Sequence, residues 1–183
     1  MKKIILILCM FMGSVALLMG QTKYSTKTGS IGFEASVPSF EEVKAANTNV
    51  SAILNCDTAE FAALALVKGF RFKVALMEEH FNENYIESSI YPKAIVRGTL
   101  KNFDLSELTT TPKEYELSGT INLHGQEQPV TIPVMAQHSL DGSIQIAANF
   151  TLKPEAFQIK IPSIVRKKVS EEVSVSVLLN LNN

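Results

Sequence analysis

Between residues 24 and 181 apolar and polar side chains alternate with a period of two in one segment after another, and this regularity excludes most folds open to a chain of 183 residues. Ile31, Phe33 and Ala35 alternate with Ser30, Gly32, Glu34 and Ser36. Ala94, Val96, Gly98 and Leu100 do the same against Lys93, Ile95, Arg97, Thr99 and Lys101. Tyr115, Leu117, Gly119, Ile121 and Leu123 form the next row, and Gly125-Gln126 is read as the turn to its partner, Val130, Ile132, Val134 and Ala136. Asp141-Gly142 is a strong hairpin signal leading to Ile144, Ile146, Ala148, Phe150 and Leu152. After an irregular stretch around Pro154 and Pro162 the chain ends on Val173, Val175, Val177 and Leu179. Such a period belongs to strands with one buried face.

Two segments break the pattern. Ser39 precedes Glu42 by three residues, a capping-box spacing that predicts a short helix through Ala46. Residues 50–55 and 60–67 read as a hairpin around Asp57-Thr58, and its second arm, FAALALV, is apolar on both faces and needs a second cover. Val74, Met77, Phe81 and Tyr85 then recur at spacings of three and four, the stripe of a short helix with Glu78, Glu79, Asn82 and Glu83 on its other faces. A helix that short must dock on a larger body. FAALALV is the expected partner of its apolar face.

The first twenty residues read as a secretory signal peptide, with Lys2 and Lys3 before an apolar run and Met19-Gly20 as a small-residue cleavage context. The run of about sixteen apolar residues is shorter than the roughly twenty that span a bilayer. Cys9 follows Ile7-Leu8, which is not the small-residue context of a lipoprotein cysteine. Cleavage leaves residues 21–183 as a single domain with 15 basic and 18 acidic residues, destined for the periplasm or beyond. That balance argues against nucleic acid as a partner, since the densest basic run is Arg166, Lys167 and Lys168, closely followed by Glu171 and Glu172. Cys56 is then the only cysteine, read as small buried filler.

About eight strands joined by short turns must pack on a second sheet or close on themselves, and the absence of late helices favours closure. The expected fold is mainly β, an eight-stranded antiparallel barrel with one or two short helices, whose interior admits side chains or one small ligand. The inward rows contain Ala35, Ala52, Ala63, Ala65, Ala94, Gly98, Gly119, Ala136 and Ala148. These small residues either leave volume unfilled or let the strands coil. No charged side chain falls on the inward face, so any cavity is apolar.

Chemistry has little to build on. His80, His124 and His138 lie far apart in the sequence, with no HExxH, CxxC, GxSxG or phosphate-cradling glycine motif. His124, beside Gly125, is read as solvent-facing or bonded within its turn. No catalytic residue, metal site or cofactor is expected. Enzymatic turnover through His80 and Glu83 is the weakest of three readings.

The stretches MEEHFNENYIESSIYPKAIVRG, YELSGTINLHGQEQPVTIPV and FQIKIPSIVRKKVSEEVSVSV together resemble the YceI-like family, in the variant common in secreted proteins of the Bacteroidetes. The likeness covers residues 24–181. It departs from the usual family pattern at Val96-Arg97, where an aromatic followed by Lys is common. The resemblance implies a lipocalin-like barrel holding a long isoprenoid or other amphiphilic lipid, export to the periplasm or beyond, and a homodimer as a reasonable assembly. On that reading Phe70, Phe72, Met77, Phe81 and Tyr85 close the cavity or line its mouth. Phe33, Val96, Ile121, Ile132, Ile146, Phe150 and Val175 line the tunnel. The expected ligand is an isoprenoid quinone or polyprenyl lipid, and the competing expectation is a structural or interaction protein whose barrel is filled.

Overall fold

The structure is a computed structural model that describes residues 22–183, so the leader read in residues 1–20 lies outside the described residues. The alternating segments become β1 (Lys23–Ser36), β2 (Lys44–Asn55), β3 (Glu60–Leu66), β5 (Lys93–Lys101), β6 (Lys113–Leu123), β7 (Gln126–His138), β8 (Ile144–Leu152) and β9 (Val169–Leu181). A two-residue strand, β4 (Arg71–Phe72), pairs with the start of β2 at Ala45 and Ala46. Every ladder is antiparallel. The order β1-β9-β8-β7-β6-β5-β3-β2, with β2 pairing back onto β1, closes eight strands into an up-and-down barrel. Closure leaves none of the eight as a free edge, which is how such sheets avoid edge-to-edge association.

Strand direction divides the barrel into two unlike halves. The ends of β2, β5, β7 and β9 meet the starts of β1, β3, β6 and β8 at one pole, where Leu54, Tyr115, Ile144 and Leu181 are all buried in the core. Leu108, from the β5–β6 connection, is buried with them. This pole is solid. At the other pole lie the connections 37–43, 67–92 and 153–168, and there the interior is hollow.

The capping-box expectation fails. Ser39 has a left-handed φ of 75° and no helix follows, because Lys44–Asn55 is strand. Ala45 pairs with Phe33 on one side and Phe72 on the other, and two ladders outweigh what one cap adds to a two-turn helix. The register of β1 with β2 shifts on either side of Gly29, and Asn47 turns inward there. Its amide donates to the Leu66 carbonyl at 2.9 Å and its oxygen accepts the Asn49 N–H at 2.9 Å, which satisfies a fully buried polar group.

The helical expectation holds with changes. Helix α1 (Ala75–His80) runs into a wide π turn (Phe81–Tyr85), and Val74 stands before it in extended conformation. The helix does not cover FAALALV from outside, since Leu66 there is 52% exposed. It lies across the open pole instead, pinned by Glu78, whose carboxylate accepts from the Arg71 guanidinium at 2.7 Å and from the Phe72 N–H at 3.1 Å. Glu78, which lies off the apolar stripe, is therefore a clamp. The β6–β7 turn is formed by His124 and Gly125, with φ of 51° and 71°, one residue earlier than expected, and Leu123 pairs with Gln126.

Candidate functional site

The hollow half encloses a cavity of about 490 Å³, within the range of roughly 300–1,000 Å³ typical of small-molecule sites. It is built by the period-two faces. Phe33 and Ile31 of β1, Val96 of β5, Ile121 of β6, Ile132 of β7, Ile146 and Phe150 of β8, and Val175 of β9 point into it. Phe70, Phe72, Met77, Phe81 and Tyr85 close the side of the open pole crossed by α1. The structure thus brings all twelve sequence-predicted positions to one cavity, while Val74 stays outside it.

Phe33 organises the closure. Its ring lies 5.4 Å from Phe70, 5.7 Å from Phe72 and 5.4 Å from Phe81, and Phe72 approaches Phe81 at 5.2 Å, all tilted or edge-on. Each such pair contributes about 0.5–1.5 kcal/mol beyond burial. A strand residue and three residues of the 67–92 segment therefore make one aromatic plug.

The small inward residues have two meanings. Ala35, Ala63, Ala65, Ala94 and Ala148 line the cavity and create its volume. Gly98 and Gly119 do not. They face each other across β5 and β6, and a Cβ on Gly119 would stand 2.0 Å from the Arg97 carbonyl oxygen. Those glycines let two strand backbones approach, which is the coiling role.

Sequence reasoning missed the second half of the rim. Phe40 and Val43 from the β1–β2 connection, and Phe157, Ile159, Ile161 and Val165 from 153–168, also line the cavity. Phe157, Ile159 and Ile161 alternate with Gln158 and Lys160, a signal masked by the two prolines. Polar side chains appear only at the mouth, where Glu41, His80 and Lys168 line the opening. Glu83, paired with His80 in the enzymatic reading, is exposed and outside the lining. Among the described residues no cluster of His, Cys, Asp and Glu is arranged to hold a metal ion, and no helix is long and apolar enough to cross a membrane.

His124 is the largest correction. It is buried, with Nδ1 2.9 Å from the Phe157 carbonyl oxygen, Nε2 3.0 Å from Glu87 Oε2, and the Tyr91 ring at 4.5 Å. The imidazole ties the β6–β7 turn to both rim segments. Gly125 beneath it is required twice, by its φ and because a Cβ would meet Tyr91 at 2.6 Å.

A YceI-like domain matches residues 22–181. A polyisoprenoid binding domain from Saccharophagus degradans, implicated in plant cell wall breakdown, superposes with a TM-score of 0.76 at 14% identity, over 88% of this chain and 98% of that one. BcnA of Burkholderia cenocepacia gives 0.68 at 15% identity, covering 84% and 96%. The YceI protein of Campylobacter jejuni gives 0.58 at 13%, covering 79% and 88%. No curated protein matches the sequence significantly.

Proposed function

Because the chain belongs to the YceI-like family, we propose that it is a periplasmic or secreted binding protein that holds an apolar isoprenoid or other amphiphilic lipid in the barrel, for carriage, storage or sequestration. The observation that carries this reading is the distribution of polarity. The strand-borne lining of the cavity is apolar throughout, and Glu41, His80 and Lys168 gather at its mouth. A chain goes in and a polar head stays at the rim. The relative from Saccharophagus degradans is described as binding polyisoprenoids, which supports an isoprenoid quinone or polyprenyl lipid as ligand.

The energetics favour a long chain. Each buried methylene contributes about 0.8 kcal/mol, against an association cost of about 4–15 kcal/mol. About twelve buried methylenes only balance the middle of that cost, so useful affinity needs a longer chain. No catalytic group is required.

Organic extraction of the native purified protein followed by mass spectrometry tests the reading. A lipid present in roughly one-to-one ratio is the expected result. A fully folded protein that is empty and takes up no polyprenol or quinone would overturn it. The enzymatic alternative rests on His80 at the mouth, and unchanged turnover of a candidate lipid in His80→Ala removes it.

A further inference from the structure

Residues 156–170, AFQIKIPSIVRKKVS, contain Lys160, Arg166, Lys167 and Lys168 and no carboxylate, in a chain whose overall charge is −1. They form most of one side of the cavity mouth. The Val165 and Arg166 N–H groups both donate to the Pro162 carbonyl at 3.1 Å, and Lys168 donates to Val165 at 2.8 Å. These bonds build a compact turn with Ile164 at its tip, 85% exposed, while its neighbour Val165 lines the cavity. Ser36 pairs with Val169, so the β1–β2 connection starts beside the end of this turn. That connection places Phe40, 47% exposed, on the same rim.

An exposed isoleucine and phenylalanine singly would be ordinary surface residues, but next to three consecutive cations at a cavity mouth they are the parts of an interfacial membrane contact, an apolar tip that inserts and basic groups that meet anionic headgroups. The nearest acidic groups are Glu155, Glu171 and Glu172, of which Glu172 is paired with Lys153, and Glu41 and Glu42, which are exposed directly after Phe40 on the same rim. None interrupts the basic turn. We propose that the rim formed by the 156–170 turn and Phe40 docks on an anionic lipid bilayer, with the cavity mouth facing the membrane. The apolar tip is continuous with the apolar lining through Val165. A lipid passing between bilayer and barrel there would keep its chain out of water. Docking itself needs no cargo, so the inference goes beyond the binding reading and can fail independently of it.

The test is co-sedimentation of the purified protein with phosphatidylcholine vesicles and with vesicles containing about a third phosphatidylglycerol, at low and high salt. Binding to the anionic vesicles that is lost at high salt and absent on neutral vesicles is expected. Arg166→Gln/Lys167→Gln should lower the partition coefficient at least about tenfold, and Ile164→Ser should lower it severalfold. Circular dichroism and unchanged Tm confirm that the variants fold. No vesicle binding, equal binding to neutral vesicles, or undiminished binding by the variants would overturn the proposal. Salt-sensitive binding to polyglutamate without vesicle binding would also overturn it and assign the turn to an acidic protein. Extraction of lipid from the same samples reports on the cavity separately.

Discussion

His124 Nε2 stands 3.0 Å from the Glu87 carboxylate, across 37 residues of sequence, and this contact holds the end of the cap segment against the β6–β7 turn. The other ring nitrogen, Nδ1, lies 2.9 Å from the Phe157 carbonyl oxygen. One imidazole therefore joins three segments around the mouth.

Replacing His124 isolates that joint. Asn tolerates the left-handed backbone at this position but cannot reach both partners. His124→Asn is expected to cost about 2 kcal/mol in urea denaturation, since it leaves the Phe157 carbonyl unpaired. Amide exchange should rise in 85–91 and 153–160 and stay unchanged at the solid pole.

Gly119 and Ala148 separate coiling from cavity volume. Gly119→Ala places a Cβ against the Arg97 backbone oxygen, which no rotamer relieves, and should cost at least about 2 kcal/mol. Ala148→Phe points into the cavity. It should leave Tm within a few degrees and lower lipid loading per protein, whereas a large loss of stability would indicate a filled barrel.

Glu78 clamps the cap to β4 through Arg71 and Phe72. Because Arg71 is largely exposed, Glu78→Ala is expected to cost only about 1 kcal/mol globally. Its local effect should be larger. Hydrogen exchange in 75–85 should accelerate, and a bound fluorescent lipid should dissociate faster.

Burial, aided by the Asp57 carboxylate, pushes the Cys56 thiol up to about 11. At pH 8 the folded protein should react with iodoacetamide about a hundredfold more slowly than the urea-unfolded chain, because the thiolate is the nucleophile. The folded state holds this proton more tightly than the unfolded chain. Stability should therefore decline as pH rises from about 9 towards 11, and Cys56→Ala should remove that slope.

Much of the barrel was legible because alternation is local. Ile121, Ile132, Ile146 and Val175 each declare their face through their nearest neighbours, and all four line the cavity. Legibility stopped where polar residues turned inward or small ones served the backbone. Asn47 sits at an irregularity of the β1–β2 ladder, so AANTNV hides the first half of β2. His124 looked like a wet turn residue because Glu87 and Phe157 are distant in sequence. Gly98 and Gly119 were open to either reading, unfilled volume or strand coiling, until the pairing of β5 with β6 placed one against the other.

Alternation alone assigned the buried face of most strands, and with that an apolar-lined sheet, since a period of two needs no knowledge of distant partners. That the sheet closes on itself, and which half of it is hollow, depend on how distant strands meet. Chain direction sends Leu54, Tyr115, Ile144 and Leu181 to one pole, and the connections 37–43, 67–92 and 153–168 to the other. The difference is one of range. Side-chain alternation is a property of neighbours, but a cavity is the volume left when segments far apart in the chain meet.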